Sequence, residues 1–170
     1  MFDFTYNANS GRVIFGRGTL DRLGTEIARL DIKKPLFLST PQQSAQVAEI
    51  AARPGLASAG LFDKARLHTP TDVSELALTF LKSCGADGIV AIGGGSTIGL
   101  GKALALRTNL PQLVVPTTYA GSEMTPILGE TADGVKRTLT SSKVLPSTVI
   151  YDVDLTMSLP VKMAGVSGMN

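Results

Sequence analysis

The stretch that decides the fold is Ile89-Val90-Ala91-Ile92-Gly93-Gly94-Gly95-Ser96-Thr97, which is followed by a helical pattern to about Leu106. Its first four residues are all apolar, as in a parallel strand that is covered on both faces. Three glycines stand where this strand ends, and the apolar spacing beyond them is that of a helix. A strand, a glycine turn and a helix in this order predict an α/β protein.

Short apolar runs and amphipathic segments alternate along the rest of the chain. The predicted strands cover residues 11–16, 36–38, 61–62 and 113–115, and the predicted helices cover residues 20–30, 43–52 and 73–81. Thr19 and Thr69 are the expected N-caps of the first and third of these helices, and Gly85 is the expected left-handed residue after the third. Residues 136–140 and 148–151 are predicted to form a hairpin-like pair. The pattern predicts a mostly parallel sheet flanked by helices.

The composition is that of a folded chain with one core. Among 170 residues there are 18 glycines and 9 prolines, and 44% are hydrophobic. The formal net charge is +2, and the basic residues are scattered along the chain rather than clustered. Neither a nucleic-acid footprint nor a basic patch for a membrane surface is therefore indicated. The composition therefore favours a protein that acts on a small molecule.

The cysteine content and the first residues indicate the compartment. Cys84 is the single cysteine, so it cannot form a disulfide within the chain, and we expect it to be buried packing. Residues 1–7 lack a basic start with an apolar stretch, and no run reaches the roughly 18 apolar residues of a membrane helix. The expected location is the cytoplasm.

The glycine turn predicts a phosphate site. Without Cβ atoms the backbone can approach a phosphate closely, and the first N–H groups of the helix favour its charge. The hydroxyls of Ser96 and Thr97 would add donors. A P-loop would need glycine at Ser96 and a hydroxyl residue at Ala103, and the GxGxxG and GxSxG motifs would both need glycine at Ile98. A tight turn without a ligand remains the alternative.

A second polar segment follows the next core strand. Its hydroxyls belong to Thr117, Thr118, Tyr119 and Ser122. The carboxyl ends of parallel strands meet at one edge of a sheet, so this loop should lie beside the glycine turn. A capping turn without a ligand is the alternative for this loop.

Four further polar residues could bear on a ligand or a metal. Thr40 and Gln42 follow the strand at 36–38, where an acidic residue often binds a ribose and disfavours a 2′-phosphate. No carboxylate stands there, so the choice between NADH and NADPH stays open. The single histidine, His68, is interpreted as a loop or capping neighbour rather than a base, and alone it cannot form a metal site. Glu123 is interpreted as an unpaired partner of a helix dipole without a catalytic role.

Several motifs together resemble the iron-containing alcohol dehydrogenase superfamily over nearly the whole chain. They are Gly93-Gly94-Gly95-Ser96, Pro116-Thr117-Thr118, Glu123 and Gly168-Met169-Asn170. Within that group, four segments are most similar to the maleylacetate reductases, namely residues 15–19, 38–43, 116–123 and 149–152. The resemblance implies a Rossmann-like NAD(P)H-binding α/β domain over residues 1–158. It also implies that residues 159–170 begin an all-helical C-terminal domain, otherwise absent from this chain, and that the full-length enzyme is a homodimer.

The resemblance also implies roles for single residues. Gly94, Gly95 and Ser96 would hold the pyrophosphate of the cofactor. Thr117, Thr118 and Ser122 would flank its ribose and nicotinamide. The expected cofactor-binding set is completed by Thr40 near the adenosine ribose and by Gln42, Gly93, Thr97, Tyr119 and Lys136. No catalytic residue is assigned within this chain.

Three departures from the superfamily pattern bear on cofactors. Gly99 stands where the glycine motif usually continues to an aspartate, and the Thr block at 117–122 is one residue shorter than in metal-dependent members. Asn170 stands where those members have the aspartate that begins their metal-ligand set. An amide lacks the charge that attracts a divalent cation, so no metal is expected.

The implied reaction is hydride transfer from NADH or NADPH to the conjugated carbon–carbon double bond of maleylacetate. The product would be 3-oxoadipate, a step in the breakdown of aromatic compounds. Two alternatives remain at this point: a metal-dependent alcohol or polyol dehydrogenase of the same superfamily, and a nucleotide-binding module without catalysis.

Overall fold

The computed structural model describes residues 11–157 and 159–169. The strands are β1 (Arg12–Gly16), β2 (Pro35–Leu38), β3 (Gly60–Phe62), β4 (Gly88–Gly93), β5 (Gln112–Pro116), β6 (Ile127–Ala132), β7 (Val135–Thr140) and β8 (Thr148–Asp152). The helices are α1 (Leu23–Arg29), α2 (Ser44–Ala51), α3 (Thr71–Ser83), α4 (Gly95–Thr108), α5 (Val153–Met157) and α6 (Val161–Gly168). Within the described ranges, the helices are all too short or too polar to span a bilayer.

Six of the strands form one parallel sheet. Their order is β1-β8-β5-β4-β2-β3, and every pairing in it is parallel. β4 and β5 lie in the middle and are buried along their whole lengths, as their continuous apolar sequences predict. The expected α/β fold with a mostly parallel sheet is confirmed.

Helices cover both faces of the sheet because successive side chains of a strand point to opposite sides. Val90 and Ile92 of β4 pack with residues of α1 and α2 in one core cluster. Ile89 and Ala91 pack with residues of α3 and α4 in a second cluster. The sheet is therefore the middle layer of three.

The direction of the chain through the sheet reverses between β2 and β4. From β2 the chain moves outward to β3, whereas from β4 it moves the other way to β5. At such a point the connections after the two strands leave on opposite sides and open a crevice at the carboxyl edge, where ligands bind in open α/β sheets. The glycine turn after β4 lies at this crevice.

The predicted pairing of residues 136–140 with 148–151 is wrong. β7 pairs with β6 in an antiparallel hairpin outside the main sheet, and β8 lies between β1 and β5. The hairpin turn is Asp133-Gly134, in which both residues have positive φ, 50° and 73°. Asp-Gly is a strong signal for a two-residue hairpin turn. The sequence of β6 mixes polar and apolar residues, so no strand was predicted on the N-terminal side of this turn.

Both predicted threonine caps are also wrong. Before α1 the chain forms a short 3₁₀ turn, and the hydroxyl of Thr19 donates to the carbonyl of Tyr151 at 2.9 Å instead of capping a helix. α3 begins at Thr71 after Pro70, which leaves Thr69 in a left-handed conformation with φ 46°. The Thr69 side chain lies against α4 at the position of Gly99. In both cases a contact across the fold prevails over a local cap.

The end of α3 follows the sequence more closely. Gly85 has φ 64°, as expected of a left-handed residue after a helix. Cys84 is half-buried rather than fully buried, packs against the core, and its thiol donates to the carbonyl of Leu81. The expected packing role of this cysteine therefore holds in part.

Candidate functional site

The glycine turn after β4 has no room for side chains at Gly93 and Gly94. A Cβ on Gly93 would lie 2.5 Å from Oγ1 of Thr97 and 2.9 Å from Oε1 of Gln43. A Cβ on Gly94 would lie 2.9 Å from Cγ2 of Thr118. The turn therefore brings bare backbone to the start of α4, a helix of 14 residues.

A cavity of about 490 Å³ lies over this turn, and it is called the glycine-turn cavity below. It is lined by residues of the glycine turn, of the loop after β5 and of the β6–β7 hairpin. Five of the predicted cofactor residues line it, which are Gly95, Ser96, Thr118, Ser122 and Lys136. Segments that are distant in sequence thus contribute polar groups to one concave site.

The polar groups of this cavity suit an anionic ligand that also carries hydroxyls. The first N–H groups of α4 have no partners within the helix, and the helix dipole adds partial positive charge there. The Ser122 hydroxyl is buried and has no hydrogen-bond partner among the described residues. A dinucleotide would offer a pyrophosphate to the helix start and a ribose hydroxyl to Ser122, so these residues fit such a group.

Two of the predicted residues lie behind the turn. Thr97 is fully buried, and Thr117 accepts a hydrogen bond at Oγ1 from Nε2 of Gln43 at 3.1 Å. Gln43 also lies close to Gly93. Gln43 thus connects the loop after β2 with the ends of β4 and β5. The sequence prediction did not include it.

Three other predicted residues lie outside the glycine-turn cavity. Thr40 and Gln42 are at the carboxyl end of β2, on the other side of the crevice, where Thr40 is half-buried and Gln42 is exposed. Tyr119 lines a second cavity, of about 420 Å³, together with Phe15, Glu123 and Tyr151. The predicted set is therefore spread over one edge of the sheet rather than held in a single pocket.

The expectation that Glu123 is an unpaired partner of a helix dipole is wrong. Glu123 is 3% exposed, and its Oε1 accepts a hydrogen bond from the Tyr151 hydroxyl at 2.6 Å. Burial, together with this hydrogen bond and the negative charge of Glu123, raises the pKa of Tyr151. Oε2 has no hydrogen-bond partner among the described residues. Glu123 therefore anchors the loop after β5 to β8.

Lys102 is a buried cation that the sequence interpretation used only to reject a P-loop. It is 1% exposed and contributes to the lining of the glycine-turn cavity. The signal available in the sequence was a lone lysine among the apolar residues of α4. His68 also lines this cavity, from an exposed loop position with φ 62°, as a loop neighbour rather than a helix cap.

The described part of the chain supplies no set of metal ligands. Residues 11–157 and 159–169 hold no group of three or more histidine, cysteine, aspartate or glutamate side chains placed to bind a metal ion. Asn170, on which the expectation about metal rests, lies outside the described residues.

The parallel sheet wound in two directions, with a glycine turn at its carboxyl edge, defines a Rossmann-like α/β domain. The family model "Iron-containing alcohol dehydrogenase" matches residues 10–153. The chain belongs to the iron-containing alcohol dehydrogenase family.

Several proteins similar to the chain are maleylacetate reductases. A maleylacetate reductase from Rhizobium sp. (strain MTP-10005) is 49% identical to the chain over 170 residues, which are 100% of this chain and 48% of that protein. A second, from Sphingobium indicum, is 50% identical over 98% of this chain and 47% of that protein. The crystal structure of maleylacetate reductase from Agrobacterium tumefaciens matches with a TM-score of 0.96 at 48% identity, over 100% of this chain and 49% of that one. The chain thus spans about half the length of the curated relatives it matches.

Proposed function

We propose that this chain is the NAD(P)H-binding part of an enzyme that reduces maleylacetate to 3-oxoadipate in the degradation of aromatic compounds. The observation that carries the proposal is the glycine-turn cavity, where bare backbone and a helix start meet the buried Ser122 hydroxyl. The two maleylacetate reductases about half identical to the chain support the choice of substrate.

Each part of the site would then have a task. Gly94, Gly95 and Ser96 would hold the pyrophosphate against the start of α4, because N–H groups and the helix dipole attract its charge. Thr118 and Ser122 would hold the ribose on the nicotinamide side, with Lys136 beside them. A bound reduced nicotinamide supplies the hydride that the reaction needs.

The adenosine end would lie across the crevice, near Thr40 and Gln42. Both side chains are neutral and can donate or accept hydrogen bonds to a ribose. Since neither Thr40 nor Gln42 carries a negative charge that would repel a 2′-phosphate, we infer that both NADH and NADPH are accepted.

We further infer that the reaction needs no metal ion and that residues 159–170 begin a helical domain. The amide of Asn170, at the position of the first metal ligand in the resemblance, supports the first point. α6 follows Pro160, and its Ser167 hydroxyl accepts a hydrogen bond from the Tyr119 N–H at 3.3 Å, which supports an interface between the two regions. A homodimer in the cytoplasm, without nucleic-acid or membrane partners, completes the proposal.

The test is NADH oxidation by the protein expressed from the whole gene, with maleylacetate as substrate and with or without a strong chelator. We expect turnover that the chelator does not change. Turnover that the chelator abolishes would contradict the metal-independent reaction. Reduction of simple aldehydes with added iron or zinc, but not of maleylacetate, would point to a metal-dependent alcohol dehydrogenase. Cofactor binding without turnover of either substrate class would point to a binding module.

A further inference from the structure

The ammonium of Lys102 lies at the centre of a ring of backbone carbonyls. Nζ donates to the carbonyl oxygens of Ser122, Thr125 and Ile127, at 2.7 Å for Thr125 and 2.8 Å for Ile127. The Thr125 hydroxyl is a further acceptor at 3.3 Å. An ammonium has three protons, so the three carbonyls match its donors. One lysine therefore holds the whole segment 122–127.

A charged lysine in this place is costly unless its protons are used. Burial lowers the pKa of Lys102 to about 8, while the nearby negative charge of Glu123 acts in the opposite direction. A buried cation that lost its acceptors would be strongly destabilising. The hydrogen bonds from Lys102 therefore hold the carbonyls of segment 122–127 against α4.

The position of Lys102 on α4 connects two parts of the proposed cofactor site. Gly95, Gly99 and Lys102 are spaced by four and three residues, which places them on one face of the helix, and all three line the glycine-turn cavity. The same lysine fixes the carbonyl of Ser122, a residue that lines that cavity. The helix that begins with the phosphate-binding turn thus determines where the ribose-binding loop lies.

We propose that Lys102 is a positioning residue, which holds segment 122–127 against α4 so that Ser122 and the base of the β6–β7 hairpin are in place before the dinucleotide binds. This role rests on the proposed function. A preformed site does not have to be ordered when the ligand binds, so affinity is higher than for a mobile loop. Loss of Lys102 should therefore weaken cofactor binding more than it slows the bound enzyme.

The test compares Lys102→Met with the wild type and with Lys82→Met, a matched control at an exposed position in the last turn of α3. Methionine has a similar length but no donors. NADH affinity is measured from the fluorescence of NADH, and KM for NADH and kcat are measured with saturating maleylacetate. Amide hydrogen exchange is measured over residues 122–127. All measurements use the protein expressed from the whole gene.

We expect Lys102→Met to raise both Kd and KM for NADH by about tenfold or more, with kcat at saturating NADH within about twofold of the wild type. Exchange over residues 122–127 should become faster in this variant, and Lys82→Met should match the wild type throughout. If Lys102→Met does not fold, Lys102→Gln, which has no charge and only two N–H donors for the three carbonyls, replaces it in the same comparison.

Two outcomes would overturn the positioning role while leaving the proposed function standing. One is unchanged Kd and KM for NADH in a folded Lys102 variant. The other is a fall in kcat with unchanged KM for NADH and unchanged hydrogen exchange over residues 122–127. That result would mean that fewer enzyme molecules are active, not that the cofactor site is less ordered. If the wild type binds neither NADH nor NADPH, the proposed function fails, and the positioning role fails with it.

Discussion

At the scale of single residues, Asp152 shows how one carboxylate fixes the end of a strand. It is buried at the end of β8, where Oδ1 accepts from the N–H of Gly18 and Oδ2 accepts from the N–H of Leu20 at 2.8 Å. A third N–H, that of Asp154, also donates to Oδ1. The carboxylate thus supplies acceptors that the short 3₁₀ turn after β1 cannot supply for itself.

Asp152→Asn should lower the free energy of unfolding by about 1–3 kcal/mol, because the amide group places N–H donors against one of the backbone N–H groups. The measurement is urea unfolding followed by circular dichroism. Asp154→Asn is the control, since the ion pair of Asp154 with Arg17 is largely exposed and should contribute little to stability. Equal losses in the two variants would contradict this account.

At the scale of elements, the turn between β4 and α4 contains one glycine that packing requires and one that packing does not require. The space beside Gly93 is filled by Thr97 and Gln43. The space beside Gly95 is open, with the nearest atom, the Cβ of Ala120, at 3.7 Å. Gly93 is thus required by the fold, whereas the protein alone leaves room for a side chain at Gly95.

Gly95→Ala therefore tests the cofactor site without disturbing the fold. We expect unfolding free energy to stay the same or rise by up to about 1 kcal/mol, because alanine favours the first turn of α4. NADH affinity should fall at least tenfold, because the methyl group enters the space in which a phosphate would approach the backbone. Fluorescence titration with NADH and urea unfolding measure the two effects. Unchanged NADH affinity would contradict the assigned phosphate site.

The elements that the sequence predicted well are those with local signals. β4 and α4 follow from an apolar run, three glycines and a helical spacing, and Gly85 follows from the end of the helical spacing of α3. β8 was paired wrongly because Thr148–Tyr151 has no local signal for its neighbours, which come from β1 and β5. The hairpin turn at Asp133-Gly134 carried a local signal that the interpretation overlooked.

At the scale of the whole molecule, an ion network and the candidate site lie at opposite edges of the sheet. Arg12 at the start of β1 makes two hydrogen bonds of 2.8 Å to Glu26 of α1. Arg29 binds both Glu26 and the hydroxyl of Thr148 at the start of β8. The hydrogen bond from Arg12, with help from Arg29 and against the effect of burial, lowers the pKa of Glu26 to about 2.

This network predicts a pH dependence of stability. In the unfolded chain Glu26 has its ordinary pKa, so its stabilising effect is complete above that value and is lost as the pH falls towards about 2. Glu26→Gln should therefore lower the free energy of unfolding by about 2 kcal/mol at pH 6, and the difference should shrink between pH 5 and 3. Urea unfolding at several pH values measures it.

The control is Glu49→Gln at an exposed position of α2, for which we expect no such trend. A difference between Glu26→Gln and the wild type that does not vary with pH would contradict the lowered pKa. NADH affinity should be unchanged in both variants, because the network lies far from the carboxyl edge of the sheet.

The candidate site was predictable only in part because its contacts are long-range. The glycine turn and the hydroxyls after β5 could be placed on one edge from strand order alone. The bond from Tyr151 to Glu123 and the ring of carbonyls around Lys102 depend on how β8 and the loop after β5 pack, which no local pattern encodes. Buried polar side chains far apart in sequence were the part that sequence reasoning missed.

The pairing of β1 with β8 has a consequence for the order of folding. Ile14 lies opposite Ile150, so the first described strand pairs with the last. During synthesis β1 has no partner in the sheet until β8 has left the ribosome, whereas β2, β3 and β4 can already pair. Contacts of such large sequence separation form slowly, because the entropy of closing a long loop is lost before the contacts can stabilise the chain. The nascent chain therefore carries β1 unpaired until β8 has been made, and chaperone binding to this strand would protect it from aggregation.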